Sequence, residues 1–278
     1  MLQEYHPAAE SQPSFTLGAF QKIQRKREIL DQQSHFHLAI TVILISYLQI
    51  MKMKIFIGKQ DLGSAIMNGD IYSCGGLRGY ITPALKDCQK NVRGHWEKAP
   101  SMNTERAGFS MTTLGDSIIA AGGFNSRGIP LKTTKESGKS WGMIPLDSIE
   151  LFDGNSWKNL TNKLPRPIGS HCAVSISDTE ILFIGGENIF SSRSNDIISS
   201  VIHFDINDGF TGKQIPNMKY TRKKFGCAMF KGEVYVAGGD VTEGVVDGRR
   251  KSKKKTADRT SEILNLETLV WSFNRGKI

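Results

Sequence analysis

The chain has few cysteines, and their arrangement excludes several classes of site. The four residues Cys74, Cys88, Cys172 and Cys227 show no C-x-x-C spacing and no neighbouring histidine pattern. Zinc ribbons and thioredoxin-like redox motifs need such spacing, so we expect neither a metal site nor a cofactor. Three of the four lie in predicted strands, where a free cysteine behaves as a small buried hydrophobe. This favours structural thiols in a reducing compartment over a disulfide framework.

Acidic residues are also too few to balance the basic ones. The formal net charge of the 278 residues is +9, and the pI is near 9.3. Such an excess favours an acidic partner, although basic residues in solvated loops explain it equally well. No aromatic residues alternate with the lysines, so we do not expect a base-stacking surface for nucleic acid. There is also no glycine-rich loop leading into a helix, as phosphate-binding sites require.

The N-terminal sixty residues differ from the rest of the chain. Residues 1–37 are polar with a basic run at 22–27, and we predict that they are disordered. Residues 38–57 are apolar, but their uncharged part is shorter than the roughly 20 residues that a spanning helix needs. This segment is interpreted as a membrane anchor, as a buried segment, or as a sequence foreign to the fold.

A glycine doublet that ends a short apolar run recurs four times. The doublets start at 75, 122, 185 and 238, at intervals of 47, 63 and 53 residues. Periods of this length are typical of propellers and other repeat arrays. Because glycine in a strand usually marks a bulge or a close backbone approach, we interpret all eight residues as structural markers. They are Gly75, Gly76, Gly122, Gly123, Gly185, Gly186, Gly238 and Gly239.

Each repeat predicts four short antiparallel strands. A hairpin leads into the doublet, a loop and a third strand follow, and a fourth strand carries Trp96, Trp157 or Trp271, with Phe210 covering in repeat three. A proline-bearing link with a basic residue (Arg106, Arg166 or Arg222) joins one repeat to the next. Four short strands per repeat without intervening helices are typical of a β-propeller blade.

This combination of doublet, aromatic residue, tryptophan and arginine resembles the kelch repeat over residues 61–273. The resemblance implies an all-β, kelch-type β-propeller domain at 61–275, with blades at about 61–100, 106–160, 166–215 and 222–273. Kelch rings usually close with about five to seven blades, within the range of 4–8 known for propellers, so an incomplete or fragmentary ring is the alternative. The residues before Gly63 also depart from the proline-arginine pattern.

The longest loops, at 124–146, 187–199 and 240–259, all follow a doublet. Loops at equivalent positions open on one face of a propeller, where binding sites accumulate. We therefore predict a non-enzymatic interaction scaffold or adaptor that binds an acidic protein through this basic face. The candidate residues are Arg127, Lys132, Arg193, Arg249, Arg250, Lys251, Lys253, Lys254 and Lys255.

An enzyme acting on carbohydrate is the alternative function. Residues 134–141 resemble the Asp-box turn of sialidase propellers, with Glu136 in place of aspartate, and copper radical oxidases also use a kelch-like propeller. The box occurs once, and neither His171 nor His203 has a partner at ligand or triad spacing, so we predict no catalytic residues. A cytoplasmic location is expected. Nuclear targeting through 249–255 and membrane anchoring through 38–57 are the alternatives.

Overall fold

The structure, a computed structural model, is built of β-strands and turns. It describes residues 59–79, 82–126, 143–188, 196–243 and 260–274. The predictions for 1–37 and 38–57 lie outside these ranges. Over the described ranges the chain contains no helix, and hence none that is long and apolar enough to cross a membrane. The prediction of an all-β chain is confirmed.

Each of the four repeats forms one antiparallel sheet, and we number these sheets I to IV. Sheet I is β1 (Gly63–Met67), β2 (Asp70–Cys74), β3 (Cys88–Val92) and β4 (His95–Ala99). Sheet II is β5 (Ser110–Leu114), β6 (Ser117–Ala121), β9 (Ile149–Phe152) and β10 (Trp157–Asn159). Sheet III is β11 (Cys172–Ser175), β12 (Glu180–Ile184) and β15 (Val201–Asp205). Sheet IV is β17 (Gly226–Phe230), β18 (Glu233–Ala237), β20 (Ser261–Asn265) and β21 (Val270–Asn274).

Three short two-stranded ribbons include the starts of the segments that were predicted as loops after the doublets. They pair β7 (Phe124–Ser126) with β8 (Met143–Pro145), β13 (Glu187–Asn188) with β14 (Asp196–Ile197), and β16 (Tyr220–Lys223) with β19 (Asp240–Glu243). The predicted loops 124–146, 187–199 and 240–259 therefore begin as strands, which corrects the prediction. The segments 127–142, 189–195 and 244–259 beyond these strands lie outside the described residues.

Aromatic residues of the fourth strands occupy one register position in all four repeats. Phe152 is the partner of Trp157, Leu264 that of Trp271, and Asn91 that of Trp96. In sheet III only one bridge, between Asp205 and Gly209, continues beyond β15. That bridge places Phe210 opposite Phe204, at 5.0 Å between ring centroids. Phe210 therefore covers for the missing tryptophan, as the sequence predicts.

The hydrophobic core lies between consecutive sheets, in three layers. One layer joins sheets I and II, one joins II and III, and one joins III and IV. The doublets permit this close approach. A Cβ atom on Gly122 would lie 2.5 Å from the carbonyl oxygen of Ile168 and 2.9 Å from the ring of His171, both in the lead-in to the next sheet. The structural role predicted for the doublets is confirmed at these interfaces.

Two fully buried ion pairs fasten the links to the third strands. Arg106 donates through Nη2 to Glu150 at 2.9 Å, and Arg222 to Glu262 at 3.1 Å. Burial lowers the pKa of the Arg106 guanidinium, and the charge of Glu150 opposes that shift. Glu150 also accepts hydrogen bonds from the backbone N–H groups of Asn103 and Thr104, so it fixes the link in place as well as balancing the charge of Arg106.

Arg166, the basic residue of the link into repeat three, does not take the position of Arg106 and Arg222. Arg106 and Arg222 stand four residues before an inner strand, and in repeat three that residue is Ile168. The residue equivalent to Glu150 is Ile202, so an apolar pair replaces the charged one. Arg166 instead donates to Ser200 Oγ at 2.6 Å. In repeat one, Lys59 takes the arginine position and bonds Asp87.

The cysteine prediction is also wrong. Cys74 and Cys88 form a disulfide across β2 and β3, and Cys172 and Cys227 form one between sheets III and IV. The described cysteines therefore include no free thiol. Sequence spacing could not reveal the second pair, because its members are brought together only when two sheets pack. The inference from free thiols to a reducing compartment no longer holds.

Repeats two and four have a charged pair at the link, whereas repeat three has isoleucines at the same positions. This difference predicts that substitutions at Arg106 and Glu150 have non-additive effects on the free energy of unfolding. Glu150→Ile should lower the free energy of unfolding by about 3–5 kcal/mol, because Arg106 is left buried without a counter-charge. The double variant Arg106→Ile/Glu150→Ile, which copies repeat three, should be more stable than that single variant. Urea denaturation measures both. If the double variant lost at least as much unfolding free energy as Glu150→Ile, the role assigned to the buried charge would be contradicted.

The two disulfides should contribute unequally. They close loops of 14 and 55 residues in sequence separation. In the chain-entropy model, losing the longer one costs about 4 kcal/mol and the shorter one about 3 kcal/mol. Cys172→Ala/Cys227→Ala should therefore unfold at lower urea concentration than Cys74→Ala/Cys88→Ala. Reduction of both variants is the control, since it should remove this difference.

Candidate protein-binding face

A row of backbone hydrogen bonds joins the starts of the four inner strands. Gly108 N–H donates to the carbonyl of Asp61, Ser170 N–H to Gly108, and Lys224 N–H to Ser170, at 2.7–2.9 Å. Each of these four residues stands two positions before its inner strand, and their φ values lie between 55° and 58°. We call Asp61, Gly108, Ser170 and Lys224 the axial row. It fixes the edge at which equivalent positions of the sheets meet.

The segments that follow the doublets all leave the sheets beside the axial row. The residue after each doublet pairs with the residue three positions before the inner strand of its own sheet. These pairs are Leu77 with Gln60, Phe124 with Ala107, Glu187 with Gly169, and Asp240 with Lys223. Repeat one therefore has the normal backbone pairing in its lead-in, although its sequence departs from the pattern. The three ribbons share one edge, which we call the loop face.

Two carboxylates beside the axial row are paired with lysines. Glu187 is largely buried, accepts a hydrogen bond from Ser170 Oγ at 2.8 Å, and pairs with Lys223 Nζ at 2.6 Å. Asp61 lies 3.8 Å from Lys224 Nζ, so side chains of sheets I and IV meet here. Glu187 and Asp61 are therefore each engaged by a lysine.

All nine predicted binding residues lie in segments outside the described residues. The sequence nevertheless gives the net charge of these segments. Segments 127–142, 189–195 and 244–259 carry twelve basic and three acidic residues, and so account for the whole net charge of +9. The remainder of the chain is balanced. The ribbons β7–β8 and β13–β14 bracket the first two segments, and β19 precedes the third. The Asp-box-like string at 134–141 also lies outside the described residues.

The two histidines have partners that sequence spacing did not reveal. His203 contacts Thr211 Oγ1 through Nδ1 at 2.8 Å and Glu180 Oε1 through Nε2 at 2.7 Å. These bonds hold the segment after β15 onto sheet III, where a fourth strand is otherwise represented by one bridge. His171 contacts Ser110 Oγ through Nε2 at 2.7 Å. Neither histidine lies in the axial row.

Most of the residues that organise this face were missed in the sequence. The axial row contains aspartate, glycine, serine and lysine, so no residue type marks it. The available signal was the offset from the doublets, because Asp61, Gly108 and Lys224 each precede their doublet by 14 residues and Ser170 precedes its doublet by 15. Glu150 and Glu262, the partners of the predicted arginines, lie at the second position of their third strands. They stand 28 residues after Gly122 and 24 residues after Gly238, so no offset from the doublets locates them.

Comparison with known proteins adds no assignment. No protein-family model matches the chain, and no curated protein matches it.

The burial of His171 predicts a pH-dependent stability. Burial lowers the pKa of His171 from 6.5 to about 3. Below pH 6.5 the unfolded chain therefore binds a proton at His171, whereas the folded protein does not. Its contribution to the free energy of unfolding is complete above this pH and is lost as the pH falls towards 3. Between pH 7 and pH 5 this residue should cost about 2 kcal/mol of unfolding free energy.

The variant His171→Phe/Ser110→Ala tests this dependence. Phenylalanine occupies the equivalent position in Phe109 and Phe225, and alanine leaves no hydroxyl without a partner. The variant should lose the His171 contribution to the slope of stability against pH, as measured by urea unfolding at pH 5, 6 and 7. Ser110→Ala alone, which keeps the histidine, should retain it. Identical slopes in all three proteins would show that His171 does not titrate on unfolding.

Proposed function

We propose that this chain is a kelch-type β-propeller, or four blades of one, that serves as a non-enzymatic interaction scaffold. Its loop face binds an acidic protein partner. The observation that carries this proposal is the coincidence of two facts. The ribbons leave the sheets at one edge, and the segments beyond them hold the entire net positive charge of the chain.

The propeller arrangement is supported by the equivalence of the four sheets. The inner strands β1, β5, β11 and β17 lie next to one another in chain order. Each interface between sheets repeats the contact between a doublet glycine and the next lead-in. The axial row links each sheet to the next by a backbone hydrogen bond. These are the relations expected of blades around an axis. Among the described residues no backbone bond joins Lys224 back to Asp61, so these four sheets form an open series.

A binding role accounts for the charge better than catalysis does. Retaining and inverting glycosidases need two carboxyl groups about 5–10 Å apart that can act as acid and base. At the described part of the loop face, Asp61 and Glu187 are each engaged by a lysine. A rigid base with charged segments above it suits recognition of a complementary surface, where such charge steers association.

Neutralising the basic segment tests this function. Replacing Arg249, Arg250 and Lys251 by glutamine should weaken binding of a fluorescent glutamate-rich peptide roughly tenfold at low salt, since three charges contribute to the attraction. The dependence of binding on salt should also become shallower. Fluorescence anisotropy at about 50, 150 and 400 mM salt measures both effects, because this series runs from weak to strong screening of charge.

The matched control removes the same charge elsewhere. Lys98, Lys158 and Lys213 are exposed, lie on or near outer strands, and belong to none of the three basic segments. Their replacement by glutamine should leave affinity within about twofold, because screening weakens distant charges. Equal losses in both triple variants would mean that binding follows net charge alone. Unchanged binding of the first variant at all salt concentrations would reject the proposed site.

A further inference from the structure

One N-glycosylation sequon occurs in the chain. The triplet Asn159–Leu160–Thr161 fits the pattern of an asparagine followed two residues later by threonine or serine, with no proline between them. No other asparagine of the 278 residues has this context. Such a triplet arises readily by chance, so its place in the fold and the chemistry of the chain decide whether it is a site.

The fold places this triplet at the outer edge of sheet II. Asn159 ends β10, the last strand in the order β10–β9–β6–β5, where it pairs with Glu150. Leu160 is half-buried against the core layer between sheets II and III, and its N–H donates to the carbonyl of Ile149. Asn159 and Thr161, on either side of it, are both exposed. The carboxamide and the hydroxyl are therefore accessible, while the residue between them holds the segment to the sheet.

The equivalent positions of the neighbouring sheets are exposed as well. Two positions after the aromatic residues Trp96 and Phe210 stand Lys98 and Gly212, and both are exposed like Asn159. A glycan is bulky and hydrated, so it needs a surface position. A sugar attached at Asn159 leaves the core layers between the sheets undisturbed.

The two disulfides indicate the compartment in which a sequon is used. The chain has four cysteines, and all of them are paired. Cys172–Cys227 joins the inner strands of sheets III and IV, so it belongs to the packed fold and not to one local hairpin. Disulfides persist in the secretory pathway and outside the cell, whereas the cytosol keeps thiols reduced. Asparagine sequons are modified in proteins that take this same route.

From the exposed sequon and the paired cysteines we propose that Asn159 carries an N-linked glycan and that the sheets fold in the lumen of the secretory pathway. This location takes the place of the cytoplasmic one expected from the sequence. The inference goes beyond the interaction scaffold proposed above and is independent of it, because the sequon lies in none of the three basic segments.

The modification exchanges a proton of the Asn159 carboxamide for a sugar. Nδ2 attacks the anomeric carbon of a lipid-linked oligosaccharide diphosphate, so that a C–N bond forms while the C–O bond to the diphosphate breaks. The lipid diphosphate leaves with the electron pair, and a base of the transferase takes the Nδ2 proton. The transferase also requires the hydroxyl two residues later, so serine can replace Thr161 and alanine cannot.

Translation of the full chain in the presence of endoplasmic-reticulum microsomes tests the site. The wild-type protein should give a larger species on a denaturing gel, which peptide-N-glycosidase returns to the size of the unmodified chain. Asn159→Gln and Thr161→Ala should each abolish the larger species, whereas Thr161→Ser should retain it. Mass spectrometry of the enzyme-treated protein should find residue 159 converted to aspartate, the mark that the enzyme leaves where it removes a glycan.

Asn155→Gln is the matched control. Asn155 is an exposed asparagine in the turn between β9 and β10, and Trp157 stands two positions after it in place of a hydroxyl residue. This variant should be glycosylated like the wild type. If the larger species persisted in Asn159→Gln, the glycan would lie elsewhere and the inference would be overturned.

Alkylation of the cysteines reports the compartment separately from the sugar. In the glycosylated species all four cysteines should resist a maleimide reagent until a reductant is added. A wild-type chain that acquires no glycan overturns the inference in either case. Blocked cysteines would then show that the chain entered the lumen and its sequon was not used, and reactive cysteines would show that it stayed on the reducing side.

The variant with Arg249, Arg250 and Lys251 replaced by glutamine separates this inference from the proposed function. It should carry the glycan as the wild type does, because its substitutions lie outside sheet II. Loss of acidic-peptide binding in that variant therefore bears on the loop face alone, and loss of the larger species in Asn159→Gln bears on the sequon alone.

Discussion

The structure depends on the close approach between the first glycine of each doublet and the lead-in to the next sheet. At Gly75, Gly122 and Gly185 a carbonyl oxygen lies where a Cβ atom would be. This contact positions the following link, and the link positions the inner strand that buries the core layer. The positive φ of these residues turns the chain at the end of the second strand. The same glycine therefore ends a strand of one sheet and contacts the lead-in of the next sheet.

The buried ion pairs show how one interface tolerates different chemistry. Arg106–Glu150 and Arg222–Glu262 tie a link to a third strand, whereas Ile168 and Ile202 take those positions in repeat three. Both solutions leave no lone charge inside, which is the condition that matters for stability. The link itself is held in either case by backbone hydrogen bonds such as that from Gly123 N–H to Ile168.

The paired carboxylates beside the axial row and the excess positive charge belong to different parts of the chain. Ion pairs occupy the carboxylates beside the axial row, and the excess charge lies in the segments beyond the ribbons.

The sequence by itself determined the all-β class, the four repeats, the hairpins at each doublet, and the substitution of Phe210 for tryptophan. These features are local, because strand alternation, turn residues and register offsets act within a few tens of residues. Only the tertiary structure decided the Cys172–Cys227 disulfide and the glutamate partners of Arg106 and Arg222. Each of these joins residues 40 or more positions apart in the chain, so no spacing rule reports it. The tertiary structure also placed Ile168, rather than Arg166, at the arginine position of repeat three. Among the described residues, Gly238 also lacks the contact with a following lead-in that Gly75, Gly122 and Gly185 make, although its doublet has the same sequence.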